Sequence, residues 1–342
     1  MKKISLVVSK PYLRNKVFDL NDSDLNQDNR IQHTALLKQE LFKRGYDLST
    51  HDINRPEESS LVIYSEIPEN EVKDEKAFLI LLEAPATIER NWNIDKHKNF
   101  IKIFTYNDYL LSLNNLIEKK YIKIIWPAVL SVPELIPFST REKEFVMVCA
   151  NKYSYHPFEL YSERRKIIRF FEKRMKNELD LFGFGWDKPP QPTQYLSIEK
   201  KLRKLLAQFS GRFFWKNPSN YLGILENKKE VLKKYKFCFV TENISNINGY
   251  VTEKIWECLS FGVIPIYLGA PDIEKLIPND VFIDLRKFDG DYESLLGFIH
   301  NSSEHFFNEY LVNAKNFMEN TYEDFSLKNY VKPIINEIEK LC

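Results

Sequence analysis

A stretch in the second half of the chain decides its fold. It reads YKFCFVTEN at Tyr235–Asn243, GYVTEK at Gly249–Lys254 and GVIPIYLG at Gly262–Gly269. The first and third segments contain short apolar runs that suit buried strands of a parallel sheet, and a helical pattern lies between them. Ligands of open α/β sheets bind beyond the carboxyl ends of the strands. Glu242 and Asn243 follow the first predicted strand and therefore mark a candidate site.

The predicted helix after this strand has a start that suits an anion. Thr252 is a favourable N-cap residue, and Glu253 lies in the first turn, where a carboxylate complements the helix dipole. Lys254 stands beside the free backbone N–H groups, an arrangement suited to a diphosphate. Helices that bind nothing begin in the same way. The combination with the preceding Glu-Asn pair is what favours a nucleotide-diphosphate site.

The alternation of strands and helices extends over the whole chain. Strands are predicted at Ile4–Val8, Leu61–Tyr64, Ala77–Leu82, Ile101–Phe104, Ile122–Trp126, Phe145–Ala150, Leu179–Phe184, Phe237–Val240 and Val263–Leu268, and helices at His33–Arg44, Ser162–Lys173, Lys228–Tyr235, Thr252–Phe261 and from Tyr292 onward. Three prolines, Pro127, Pro133 and Pro137, separate two such series and predict a linker. The sequence thus predicts an α/β protein of two lobes with a cleft between them, residues 1–140 and 141–342, and a helical C-terminus.

Composition and missing motifs exclude several classes of protein. The 342 residues include 49 Lys and Arg and 48 Asp and Glu, so the formal net charge is +1. This balance argues against a uniformly basic nucleic-acid-binding protein. The chain has no Walker loop, GxGxxG motif or serine nucleophile elbow, which leaves kinase, dehydrogenase and hydrolase functions without support.

Two acidic triplets raise the question of a metal site. Asp22-Ser23-Asp24 and Asp289-Gly290-Asp291 both have the D-x-D spacing found in metal-dependent glycosyltransferases of another fold. Both lie in polar loops, where Asp is favoured by turn geometry alone. The histidines show no metal-binding spacing either. We therefore predict no metal site.

The stretch quoted above resembles the donor-binding signature of the α-1,3/1,4-fucosyltransferases, family 10 of the glycosyltransferases. The resemblance is strong over Tyr235–Phe288 and looser at Phe104–Asp108, at Asn151 and at Ser162–Arg165. It implies a GT-B fold of two Rossmann-like lobes, with an acceptor-binding N-terminal lobe and a donor-binding C-terminal lobe. It also implies transfer of fucose from GDP-fucose, a co-substrate, to a glycan hydroxyl in α-1,3 or α-1,4 linkage, with inversion and without a further cofactor.

The resemblance also implies roles for individual residues. Lys254 and one arginine of the Arg164-Arg165 pair would bind the diphosphate, with Arg164 favoured. Glu253 would hold ribose hydroxyls, while Asn243 and Tyr250 would line the sugar-phosphate end. The implied donor-binding set is Arg164, Arg165, Glu242, Asn243, Tyr250, Glu253 and Lys254.

The predicted catalytic base is Glu83. An inverting transfer needs a base on one side of the sugar and positive charge on the other, and Arg and Lys can supply that charge without a metal. Glu83 follows the apolar run Ala77–Leu82 and precedes Pro85, which turns the chain away. It also resembles the family's catalytic glutamate after an N-terminal-lobe strand. A solvated loop carboxylate would look the same in sequence, and Glu89 is the alternative base.

The sequence alone leaves other functions open. A related transferase could use another nucleotide sugar, and a nucleotide-sugar- or glycan-binding protein could keep the scaffold without catalysis. The intact donor-binding set argues against loss of catalysis. Nothing in the sequence identifies the acceptor glycan.

A basic amphipathic segment raises the question of membrane contact. The segment Ile198–Lys216 combines an apolar stripe with interleaved lysines and arginines, a pattern that can lie on an anionic lipid surface. Lipid-linked glycans would then be natural acceptors. The alternative is an ordinary helix packed on the donor lobe. Because no signal peptide or membrane span is evident, the sequence predicts a cytoplasmic protein, either free or held at the inner face of the membrane.

Overall fold

The N-terminal half of the chain forms a parallel sheet. The structure is a computed structural model, and it describes residues 1–74, 76–115, 120–193 and 215–341. The six strands of this first sheet are β1 (Lys2–Val7), β2 (Tyr46–Thr50), β3 (Leu61–Ser65), β4 (Ala77–Leu81), β5 (Lys102–Thr105) and β6 (Tyr121–Lys123). Their order is β2-β1-β3-β4-β5-β6, and every neighbouring pair is parallel.

The C-terminal half forms a second parallel sheet. Its five strands are β7 (Lys143–Val148), β9 (Leu179–Phe182), β11 (Tyr235–Thr241), β12 (Ile264–Leu268) and β13 (Ile283–Asp284), in the order β13-β12-β11-β7-β9. A short parallel pair, β8 (Lys152–Tyr153) and β10 (Gln191–Pro192), lies apart from it. The α/β class and the two parallel sheets predicted from the sequence are confirmed.

Helices pack against the sheets and bury apolar side chains. The described helices are α1 (Gln32–Lys43), α2 (Ile94–His97), α3 (Asp108–Ser112), α4 (Tyr161–Arg174), α5 (Lys228–Leu232), α6 (Glu253–Ser260), α7 (Tyr292–Asn301), α8 (Glu304–Thr321) and α9 (Leu327–Leu341).

Asp291, from the second acidic triplet, is the N-cap of α7 and accepts hydrogen bonds from the backbone of Glu293 and Ser294. That aspartate therefore serves local backbone structure.

The last helix packs with the first sheet, although the sequence places it in the lobe 141–342. Ile334 and Ile338 are fully buried in the core around β1 and α1, and Arg44 of the α1 C-terminus forms an ion pair with Glu339 at 3.1 Å. The apolar stripe of α9 predicts that this segment is a helix, but it does not predict which sheet the helix packs against. The boundary at residue 140 stays a prediction, and α9 crosses back to the N-terminal side of it.

The sequence missed β2, which is rich in polar residues. Ser49 and Thr50 are nevertheless buried. Their burial is tolerated because the Asn15 side chain accepts a hydrogen bond from the Thr50 backbone at 2.8 Å. Long-range polar contacts of this kind leave no periodic signal.

Residues 194–214, which include most of the basic segment Ile198–Lys216, lie outside the described residues. No helix of the described ranges combines the length and apolarity that crossing a bilayer requires.

A buried junction joins the two lobes beside their strand ends. We call it the inter-lobe cluster, and its buried members are Ala84, Ala86, Tyr106, Tyr161, Ile244, Ile247 and Tyr250. Tyr106 lies 5.1 Å from Tyr250 between ring centroids. Gly249 makes this approach possible, since its φ is +79° and a Cβ there would lie 2.6 Å from the Tyr106 carbonyl oxygen. The loops that follow β4, β5 and β11 are thereby held together.

Candidate active site

A buried carboxylate organises the end of β11. Glu242 is fully buried; its Oε1 accepts from the Thr252 backbone at 2.8 Å, and its Oε2 accepts from the Thr252 hydroxyl at 2.7 Å and from Lys254 Nζ at 3.0 Å. This carboxylate has no exposed surface in this structure. Glu242, which the sequence placed among the donor-binding residues, holds Lys254 and the start of α6 in this structure.

The N-cap of α6 is Thr252, as the sequence predicts, but its side chain does not cap the helix. The backbone of Thr252 is extended. The hydroxyl donates to Glu242 instead and accepts from Lys254 Nζ at 2.7 Å. The Thr252 side chain therefore leaves the first-turn N–H groups of α6 to other partners.

Lys254 and Glu253 are both charged at neutral pH. Burial lowers the pKa of Lys254, but the carboxylates of Glu242 and Glu253 outweigh it and hold the pKa above its usual value. Burial raises the pKa of Glu253, but Lys254 and Lys228 outweigh it and hold the pKa low. The start of α6 thus presents an ammonium group beside an ionised hydrogen-bond acceptor.

Arg164 anchors α4 to the end of β11. It is buried, and it donates from Nε to the Thr241 hydroxyl at 2.8 Å and from Nη2 to the Thr241 and Glu242 carbonyls at 2.9 Å. Nη2 also lies 3.0 Å from Oδ1 of Asn243. Nη1 makes no hydrogen bond to the described part of the chain. The guanidinium is fixed along one edge and keeps one nitrogen for a ligand.

Arg165 holds the loop that leaves β7. Its Nη1 donates to the Lys152 carbonyl at 2.7 Å, and the side chain is only partly buried. Of the two arginines, Arg164 is the one tied to Asn243 and to the β11 end.

Glu83 lies across the cleft from these cations. Burial raises the pKa of Glu83, while the charges of Lys152 and Lys254, both in the C-terminal half, oppose that rise. Its loop also contacts the opposite lobe, since the Thr87 hydroxyl lies 3.4 Å from both the Tyr161 hydroxyl and Asn243 Nδ2. The loop that carries the predicted base therefore meets the opposite lobe beside Asn243, and the charge of Lys254 acts on the Glu83 carboxyl. Glu89, the alternative, is exposed.

Glu66 is a site residue that the sequence reasoning missed. Its Oε1 accepts from the backbone N–H groups of Leu82 and Glu83 at 3.0 and 2.9 Å, and its Oε2 accepts from Asn91. Burial and the neighbouring Glu83 raise the pKa of Glu66 to about 8. Glu66 and Glu83 each follow one of two adjacent parallel strands, β3 and β4, and this placement was the available signal.

The raised pKa of Glu66 predicts a pH dependence of stability. Its contribution is fully present below the unfolded-state pKa and is lost as pH rises toward 8, because the unfolded chain ionises first. We expect the free energy of unfolding to fall by about 1 kcal/mol per pH unit across that window. Urea denaturation from pH 5 to pH 9 should show this slope in the wild type and a flatter one in Glu66→Gln. The exposed control Glu89→Gln should keep it, and an unchanged slope in Glu66→Gln would refute the assignment.

Tyr250 and Asn243 lie where the lobes meet. Tyr250 is fully buried in the inter-lobe cluster, with the Trp126 ring centroid 5.6 Å away, and its hydroxyl lies 3.3 Å from Asn243 Nδ2. Tyr250 therefore acts through packing and through Asn243 in this structure. Asn243 touches Arg164, Thr87 and Tyr250 and so connects both lobes.

Comparison with a family model identifies the segment that carries this geometry. Residues 222–324 match the model of the glycosyltransferase family 10 (fucosyltransferase) C-terminal domain. Over this range the chain is similar to the C-terminal domain of family 10 glycosyltransferases. Glu242, Asn243, Tyr250, Glu253 and Lys254 all lie inside the matched range, while Arg164, Arg165 and Glu83 lie before it.

Comparison with solved structures shows that the chain has the GT-B fold. An α1,3-fucosyltransferase matches with a TM-score of 0.56 at 15% identity, over 99% of this chain and 90% of that one. The Anabaena protein HepE in complex with UDP-glucose matches with a TM-score of 0.57 at 9% identity, over 99% and 100%. At these identities the likeness concerns the fold.

A short segment of the chain resembles a curated enzyme. It is 45% identical over 31 residues to GDP-fucose protein O-fucosyltransferase 3 of Xenopus tropicalis. The aligned segment covers 9% of this chain and 7% of that protein. So short a match is compatible with a shared local signature beside otherwise different sequences.

Proposed function

We propose that this protein is an inverting fucosyltransferase that moves fucose from GDP-fucose to a hydroxyl of a glycan, in α-1,3 or α-1,4 linkage. The observation that carries the proposal is the contact of the Glu83 loop with the end of β11, where the Thr87 hydroxyl lies 3.4 Å from Asn243 Nδ2; the charges of Lys152 and Lys254 act on the Glu83 carboxyl there. The family 10 domain supports the choice of donor.

The residues supply what a single displacement requires. The acceptor oxygen attacks the anomeric carbon of fucose while the bond from that carbon to GDP breaks. The hydroxyl proton passes to Glu83, whose raised pKa makes it a stronger base than an exposed carboxylate. Lys254 and the free nitrogen of Arg164 neutralise the charge that develops on the diphosphate. Glu253 accepts hydrogen bonds from ribose hydroxyls.

Turnover of a donor panel tests the proposal. The enzyme is incubated with GDP-fucose, GDP-mannose or UDP-glucose and a panel of glycans, and released nucleotide and glycan product are both measured. GDP-fucose should give product with at least one glycan. Product from another donor alone would make the protein a related transferase, and donor binding without product from any donor would favour a binding protein.

Lys254 should control the affinity for GDP. Lys254→Ala removes one charge-assisted contact, so we expect GDP binding to weaken by roughly 1.5–3 kcal/mol. Calorimetric titration measures the change. The matched control is Lys229→Ala, since Lys229 is exposed on α5. Equal affinity of the Lys254 variant and the wild type would remove Lys254 from the phosphate site.

Transfer should proceed without a divalent metal, because Lys254 and Arg164 supply positive charge where the leaving group forms. In excess EDTA we expect the wild-type rate within about twofold, a change below ~0.5 kcal/mol in the barrier. Loss of activity that manganese restores would show that the leaving group depends on a metal.

The acceptor and the location in the cell remain the sequence's predictions. A lipid-linked glycan and peripheral contact at the inner membrane face through Ile198–Lys216 are the proposals that follow from its basic amphipathic pattern. Sedimentation with anionic vesicles at low salt, and release at high salt, would support them.

A further inference from the structure

The Glu66 side chain continues the pairing of β3 and β4 beyond the point where their backbone ladder ends. The ladder ends where the Glu66 N–H donates to the Ile80 carbonyl at 3.0 Å. From there Oε1 of Glu66 accepts from the next two backbone N–H groups along β4 and its loop, those of Leu82 at 3.0 Å and Glu83 at 2.9 Å. A side chain thus fixes the backbone of Glu83 to the neighbouring strand.

The backbone of Glu66 is strained at this point. Its φ is +75°, in the left-handed region that residues with a side chain rarely adopt. Such strain persists only where the surroundings hold it, and it is found mostly at functional sites. Glycine would relieve the strain, but it could not accept the hydrogen bonds of Leu82 and Glu83. The position therefore keeps a carboxylate at the expense of backbone geometry.

Asn91 holds the same backbone from the other side. It is 1% exposed, its Nδ2 donates to Oε2 of Glu66 and lies 3.3 Å from the Glu83 carbonyl oxygen, and its Oδ1 accepts from the Ile67 N–H at 3.1 Å. The N–H of Glu83 is thus bound by Glu66 and its carbonyl by Asn91. Both contacts are made to the backbone and do not occupy the Glu83 carboxylate.

His97 fixes Asn91 in turn. His97 is 1% exposed, and its ring lies 2.8 Å from the Asn91 carbonyl through Nε2 and 2.9 Å from the Tyr121 hydroxyl through Nδ1. A carbonyl can only accept, so Nε2 donates and Nδ1 of the neutral ring accepts from the hydroxyl. Burial lowers the pKa of His97, which favours that neutral form. Because Tyr121 begins β6, the network is anchored in the first sheet.

We propose that Glu66 and Asn91 are positioning residues that hold the backbone of Glu83 so that its carboxylate meets the acceptor hydroxyl. This inference rests on the proposed function, which makes Glu83 the base. A general base must lie within hydrogen-bond reach of the proton it takes. Releasing the Glu83 backbone should therefore slow transfer without removing the base, since a displacement of about 1 Å can cost on the order of a hundredfold in rate.

Steady-state kinetics with the glycan that gives product in the donor panel test this inference. Glu66→Ala and Asn91→Ala should each lower kcat about tenfold to a hundredfold, while the KM for GDP-fucose and the Kd for GDP stay within about twofold. Glu66→Gln keeps an oxygen for the two N–H groups and should lose at most about fivefold of kcat. The control Glu69→Ala changes an exposed glutamate between β3 and β4 and should match the wild type.

Three results would overturn the inference. The first is a wild-type kcat in Asn91→Ala, which keeps the Glu66 carboxylate and therefore remains informative even if Glu66→Ala fails to fold. The second is a loss of GDP affinity equal to the loss of kcat, which would indicate general damage to the fold. The third is a loss in Glu66→Gln as large as that in Glu83→Gln, which would make Glu66 itself a group that acts on the acceptor.

The same data distinguish this inference from the proposed function. If transfer from GDP-fucose depends on Glu83 but not on Glu66 or Asn91, the proposed function stands and the positioning roles fall. If another nucleotide sugar is the donor and the variants show the expected pattern with it, the positioning roles stand and the proposed donor falls. If the wild type transfers no sugar, or Glu83→Gln keeps full activity, both fall.

Discussion

Glu83→Gln is expected to lower the transfer rate by a factor of about 10²–10⁴, the usual effect of removing a general base. The amide keeps the shape of the side chain but cannot take the acceptor proton. Because Glu83 belongs to the N-terminal half and the proposed diphosphate site to the C-terminal half, GDP binding should change little. The measurement pairs an initial-rate assay under saturating GDP-fucose with a calorimetric GDP titration.

The neighbouring Glu89 provides the matched control for this result. It lies in the same loop region but is exposed, so Glu89→Gln should keep nearly all activity. If Glu83→Gln turns over at the wild-type rate, Glu83 is not the base. Loss of activity in Glu89→Gln alone would transfer the role to that residue.

Arg164→Ala is expected to destabilise the protein as well as weaken GDP binding. The substitution leaves the Thr241 and Glu242 carbonyls at the buried end of β11 without their shared donor. Losing several buried hydrogen bonds at one position should cost about 3 kcal/mol of unfolding free energy. Urea denaturation of the free protein gives this value without any ligand.

Arg165→Ala is the control for Arg164. Its side chain makes one hydrogen bond, to the Lys152 carbonyl, at a partly exposed position. We expect a cost below about 1 kcal/mol. Equal destabilisation by the two substitutions would contradict the anchoring role of Arg164.

The sequence predicted the elements and their class because its signals were local. Apolar runs such as Ala77–Leu82 and the motif Tyr235–Asn243 predict buried parallel strands, and both are found as β4 and β11. The carboxyl ends of those strands then place Glu83 and Glu242 near the cleft. The position of each residue just after a predicted strand was enough to identify both as candidate site residues.

What the sequence could not provide was the partner of each side chain. Glu242 and Tyr250 were predicted to line the donor site, but both are fully buried, one beneath Lys254 and the other in the inter-lobe cluster. Burial of a polar group depends on contacts between distant segments, which periodicity does not report.

The placement of α9 has a similar cause. Its apolar stripe specifies one buried face, but a two-lobed chain offers that face two sheets. In the structure α9 packs against the first sheet, where Tyr330, Ile334 and Ile338 lie beside α1. Sequence order alone favoured the nearer lobe.

The anomeric configuration of the product tests the central claim most directly. Wild-type enzyme, GDP-fucose and a glycan acceptor are followed by NMR from the first turnover, so that the first fucoside formed is observed. Direct displacement, with Glu83 accepting the proton, predicts a product whose anomeric configuration is opposite to that of the donor. A product that retains the configuration of GDP-fucose would contradict single displacement and the assignment of Glu83 as its base.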